Sequence, residues 1–282
     1  MIAEKDHFAA GGSAILPGSR PPEARKARTV ALRHCHAPRA QRQVAVTAGR
    51  TIREHGEGEI SMRIKQIPGT KGSLKWIQRL AEHHSGLFET ELGAKGLLAK
   101  GDTLTWISPL ASDEWAEYRN AAFLDRIGCH SLAGKLAAFW PSRGPQWDGL
   151  ARDSSGQIFI IEAKAHRQEL ASSCQAGEAS LKKISAALEQ TKAALGANPA
   201  ADWLNGHYQY ANRLALLRFL LDNDVKAHLV FLYFTNDTAM GGPRSAAEWE
   251  ESTAVVKRHL GLPQDGAIEG VVDVYIDTAA LA

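Results

Sequence analysis

The sequence predicts one mixed α/β domain, a sheet covered by helices, preceded by a segment of different character. Three observations predict it. The apolar runs "QIFIIEAKA" and "AHLVFLYF" have the length of buried strands. Segments with apolar residues at helical spacing stand between and around them. Residues 1–61, rich in Gly, Pro, Ala and Arg, show neither period, and regular patterning begins at Met62.

The elements follow in order. "GSLKWIQRLAEHHSGLFETELG" places Leu74, Ile77, Leu80 and Ala81 on one helical face, with Ser73 as a candidate cap. A short strand is expected over Leu104 to Ile107. A helix is then expected from Asp113 to about Ile127, capped by Ser112, with acids in its first turn and Gly128 behind it. "KLAAFWP", "QWDGLARD" and "QIFIIEAKA" read as strands. Two longer helices follow, about Gly177 to Leu195 and about Tyr208 to Leu221. The strand "KAHLVFLYFTND", a helix near Ala246 to Leu260 and the strand "EGVVDVYID" close the chain. No internal repeat interrupts this order.

At 282 residues the chain is long enough to bury a sizeable core, and its 44% apolar and 23% charged content is ordinary for a globular protein. No apolar run approaches the ~20 residues of a membrane helix, and the first residues lack a signal-peptide core. Cys35, Cys129 and Cys174 are too few and scattered for a disulfide framework, so a reducing cytoplasm is expected. "RHCHAP" and "CH" at Cys129 lack the paired spacing of a zinc site and read as incidental.

The net charge of +2 conceals an asymmetry. Residues 1–61 hold 10 Lys/Arg and 6 Asp/Glu, a net +4, so the rest of the chain carries −2. The main body is therefore no broad basic coat, and phosphate binding there has to be local. The first 61 residues read either as a disordered basic arm for nucleic acid or as sequence upstream of a true start at Met62. In both readings they are expected to be dispensable for folding.

The chemistry concentrates in "GPQWDGLARDSSGQIFIIEAKAH", residues 144–166. A hairpin loop of Ser154, Ser155 and Gly156 uses the glycine at its left-handed position. Asp153 then faces Gln157 and Asp148 faces Glu162, each pair equidistant from Ser155. Facing residues share one side of a sheet, and Lys164, two residues on from Glu162, shares it too. A loop one residue shorter scatters the three. Opposed carboxylates repel unless a cation lies between them or one binds a proton. Mg²⁺ or Mn²⁺ suits two carboxylates plus substrate oxygens and water. A structural salt-bridged patch is the bland alternative. "DNDVKAH" repeats the acid-x-Lys pattern at Asp224 to Lys226, but with no preceding strand or partner acid, and reads as a solvated loop.

Asp148 followed by Glu162-Ala163-Lys164, after "WPSRGPQW", resembles the PD-(D/E)xK nuclease superfamily. The motif covers little more than twenty residues, and the order of elements extends the likeness to roughly residues 110–235. The resemblance implies a restriction-endonuclease-like fold over residues 62–282. It implies Asp148 and Glu162 as metal ligands, the carbonyl of Ala163 as a further one, and Lys164 as the catalytic lysine. Glu117, ahead of Glu114, is the candidate for the extra acid that many members carry on a helix before the hairpin. Trp147 stands where the family's proline is expected, which touches backbone positioning and leaves the ligands intact.

Other polar residues admit two readings each. Gln209 and Arg213 lie one helical turn apart and either reach one phosphate together or form a polar rim. Lys182 and Lys183 either touch nucleic acid or form a solvated face. Trp76, after Lys71 and Lys75, either stacks on a base or belongs to the core. "GTKG" lacks the spacing of a phosphate-binding P-loop.

The expected function is a Mg²⁺- or Mn²⁺-dependent nuclease acting on DNA, with RNA second. A non-catalytic nucleic-acid- or protein-binding protein on the same fold is the alternative. A glycoside hydrolase using Asp148 and Glu162 is a third class, disfavoured by Lys164 and by the few aromatics near the hairpin. Oligomeric state is not legible.

Overall fold

A computed structural model of the chain describes residues 62–264 and 266–282, and the expectations for residues 1–61 lie outside them. Strand β1 (Arg63–Ile64) is followed by helices α1 (Gly72–His83) and α2 (Ser85–Ala94), strand β2 (Leu104–Ser108) and strand β3 (Glu117–Tyr118). Helices α3 (Asn120–Arg126) and α4 (Ala133–Phe139) lead into the hairpin of β4 (Gly149–Asp153) and β5 (Ile158–Lys164). Helices α5 (Glu178–Leu195) and α6 (Tyr208–Leu221), strand β6 (Ala227–Thr235), helix α7 (Ala246–His259) and strand β7 (Val271–Asp277) complete the order.

The main sheet runs β2-β4-β5-β6-β7. Its first three strands are antiparallel neighbours, and β5, β6 and β7 are parallel, so the sheet is mixed. The two inner parallel strands are covered on both faces, which is why β5 and β6 read as unbroken apolar runs. Ile158 and Ile160 of β5 face one core with Leu150, Phe231 and α6. Phe159, Ile161 and Ala163 face the other core with Trp106 and α1. The period of two then carries Glu162 and Lys164 onto the α6 side. No helix among the described residues is long and apolar enough to cross a membrane.

The hairpin has the expected register. Gly149 faces Ile161 and Arg152 faces Ile158, which places Asp148 opposite Glu162 one step beyond the last pair. Gly156 holds φ +90°, and the Asp153 carboxylate accepts from the backbone N–H groups of Ser155 and Gln157. A Cβ at residue 156 meets nothing within 4 Å, so its cost is conformational alone. Gly156→Val is therefore expected to lower stability by about 1–2 kcal/mol, readable as a shift of the urea midpoint.

Four expectations are corrected. The helix from Asp113 to Ile127 exists only as α3, because Glu114, Trp115 and Asn120 all hold positive φ and interrupt it. The Asp113 carboxylate is taken by Arg63, Arg126 and Tyr118 instead of helping to start a helix. "KLAAFWP" contributes to helix α4, for its Leu-Ala-Ala run is intrinsically helical and Leu136 alone of the helix is fully buried. Ser73 does not cap α1: Lys71 occupies that position, and the Ser73 hydroxyl donates to Glu169 at 2.7 Å. The segment read as one helical pattern is two helices, α1 and α2, parted at His84.

Candidate active site

The end of β5 carries a buried ionic triad. Glu162 is 1% exposed and Lys164 7%. Lys164 Nζ donates to Glu162 Oε1 at 2.5 Å and to Gln209 Oε1 at 2.8 Å. From α6, Arg213 Nε donates to Glu162 Oε2 at 2.5 Å. The other guanidinium nitrogens of Arg213 donate to Asn212 Oδ1 and to the Gln146 carbonyl. Its Cζ lies over the Trp147 ring, 4.8 Å from the ring centre. Trp147, fully buried against Phe123, is thus a platform for Arg213, which gives the departure from proline a local use.

Two further carboxylates stand beside this triad. Asp148 Oδ2 accepts from the backbone N–H of Ala163 at 2.8 Å. Glu117 accepts from the Gln146 carboxamide. Glu117 lies on β3, not on a helix. It is brought in because β3 pairs with β1 and Tyr118 bridges Trp147, one residue before Asp148.

The electrostatics divide the acids. Burial and the neighbouring Glu162 charge push the Asp148 carboxyl well above its ordinary value, against the partial relief of Lys164. Burial also raises Glu117, with the Glu162 charge adding to it and the Gln146 hydrogen bond opposing it. Burial acts to raise Glu162 as well, but the charges of Arg213 and Lys164 and their hydrogen bonds outweigh it and hold that carboxyl below its usual value. Three carboxylates face two cations, and the deficit falls on Glu117 and Asp148.

Those two acids line a cleft of about 430 Å³ together with Gln146, Gln209, Asn212 and Arg213. Their hard oxygens and unmet negative charge fit a divalent cation. Glu162 fits it less well, since Lys164 and Arg213 already occupy both of its oxygens. Among the described residues no group of three or more His, Cys, Asp or Glu side chains is arranged to hold a metal ion. An ion here would therefore rest on two carboxylates, completed by backbone, water or ligand oxygens, a mode that suits Mg²⁺.

The remaining candidates fall as follows. Gln209 and Arg213 do converge, but on Lys164 and Glu162. Lys182 is exposed on α5, Lys183 donates to the Ala137 carbonyl, and neither lines the cleft. Trp76 is 8% exposed with its indole N–H on Asp237, so it belongs to the core. Glu114 pairs with Lys65 and Arg63 away from the cleft. The sequence marks Gln146 only by its place two residues before Asp148, yet its carboxamide and carbonyl tie Glu117 and Arg213 to one segment. No protein-family model, curated protein or solved structure matches the chain.

Proposed function

We propose that the chain is a metal-dependent phosphodiesterase acting on nucleic acid, DNA before RNA, in the manner of the PD-(D/E)xK nucleases its motif resembles. One observation carries the reading. Two carboxylates with raised proton affinity open onto a cleft directly beside a buried Glu162–Lys164 pair at the end of a central strand. Purely structural ion pairs have no need of two further acids without counter-cations.

In this reading Asp148 and Glu117, with the Ala163 carbonyl, hold Mg²⁺ or Mn²⁺. The ion supplies Lewis acidity toward a phosphate oxygen and an acidified water as nucleophile. The chain supplies the rest. The N–H of Ala163 fixes the rotamer of Asp148, and Gln146 fixes Glu117. Gln209 and Glu162 orient the Lys164 ammonium, whose charge stabilises the phosphorane-like transition state. Arg213 keeps Glu162 ionised, and so keeps Lys164 in place.

The second reading, a non-catalytic binding protein, also has an observation behind it. Both Glu162 oxygens are already satisfied by protein cations, as in a finished structural salt bridge. Calorimetry with Mn²⁺ and plasmid nicking on one preparation separate the two. The nuclease reading expects Mn²⁺ binding, nicking with Mg²⁺ or Mn²⁺, and arrest by EDTA. A chain that binds no divalent ion and leaves plasmid intact is the non-catalytic protein.

A further inference from the structure

A second cavity of about 320 Å³ adjoins the first, and the two share Trp140, Arg143 and Tyr208 in their walls. Their charges differ. The first presents Glu117 and Asp148 beside Arg213 and Arg143. The second contains no acid, and its one formal charge is Arg143.

Arg143 differs from the two cations nearest the acids, Lys164 and Arg213, which are spent on Glu162. Arg143 is exposed and has no ion pair or hydrogen bond among the described residues. Its backbone is held at φ +64°, a conformation unfavourable for a side-chain-bearing residue. The next residue shows what holds it there. The N–H of Gly144 donates to Asn120 Oδ1 at 2.9 Å, and a Cβ on residue 144 lies 2.8 Å from that oxygen and 3.2 Å from Trp140. The turn is pinned with a free guanidinium at the boundary of the cavities.

Resting on the phosphodiesterase reading, we propose that Arg143 binds the phosphate adjacent to the one cleaved, and that the second cavity takes its nucleotide. A polyanion satisfies both cavities at once: one phosphate with the cation of the acidic cleft, its neighbour on the guanidinium in the acid-free one. The substrate is then a strand of at least two phosphates, not an isolated mononucleotide ester. Tyr208, half-buried in the shared wall, suits an unpaired nucleotide, because an aromatic face accepts any base.

The test is binding of a fluorescein-labelled single-stranded oligonucleotide by anisotropy over a salt series, in Ca²⁺, which occupies carboxylate-oxygen sites but is a weaker Lewis acid than Mg²⁺ and so limits cleavage. R143A is expected to weaken binding about tenfold, the loss of one charge-assisted contact. Its log–log salt dependence is expected to be shallower by about 0.7, one single-strand phosphate contact. R143K keeps the slope, since the charge remains. S180W, which places a bulky ring in the second cavity while keeping the Arg143 guanidinium in the chain, is expected to weaken binding while melting with the parent. If the parent binds and both R143A and S180W bind as tightly with the parent's slope, the subsite is wrong while plasmid nicking still upholds the phosphodiesterase. If the parent neither binds nor nicks, both readings fall.

Discussion

Glu162→Gln is expected to destabilise the chain by about 3–5 kcal/mol. The substitution leaves Lys164 and Arg213, both more than nine-tenths buried, without their shared counter-charge. Because Glu162 is held below its ordinary carboxyl value, its contribution is full at neutral pH and fades as pH falls through that lowered value. Urea unfolding at pH 7 measures the loss as a lower midpoint. Asp148→Asn gives the opposite sign: it removes a carboxylate that sits against Glu162, while an amide oxygen still accepts from Ala163. It is expected to be at least as stable as the parent and inactive. A Glu162→Gln protein that unfolds with the parent shows that the triad is not the electrostatic centre of this fold.

The largest effect on activity is expected from Lys164→Ala, a fall in kcat of about 10²–10³. The ammonium contacts no residue proposed to hold the ion except through Glu162, so Mn²⁺ affinity is expected to stay or to rise as a repelling charge leaves. Asp148→Ala, by contrast, is expected to lose Mn²⁺ and turnover together. Calorimetry and nicking rates on the same folded preparations separate these patterns. A Lys164→Ala protein that cleaves at the parent's rate removes the lysine from the mechanism.

The hairpin was legible because its register depends on local quantities: one glycine at a left-handed turn position and a strict alternation of faces. The same alternation was enough to put Asp148, Glu162 and Lys164 on one side. The segment from Asp113 to Ile127 was not legible. Its acids and apolar spacing suit a helix, but tertiary partners take them: Arg63 is fifty residues from Asp113, and Trp147 lies 29 residues beyond Tyr118. Glu117 thus reaches the site on a strand and not on the helix that resemblance implied. Gln209 and Arg213 share one face of α6, as their spacing of four predicts. Their partners were not foreseeable, since the packing of α6 over β5 is a long-range result that no spacing within α6 contains.

The bond from Ala163 to Asp148 makes one backbone amide a spectroscopic witness of the site. An N–H donating to a carboxylate resonates according to the electron density on that oxygen. Titrating a ¹⁵N-labelled chain with Mg²⁺ therefore shifts the Ala163 cross-peak if the ion draws on Asp148, and does so without any substrate or turnover. The amide of Gln157, which donates to the carboxylate of Asp153 at the far end of the same hairpin, supplies the internal control that stays still.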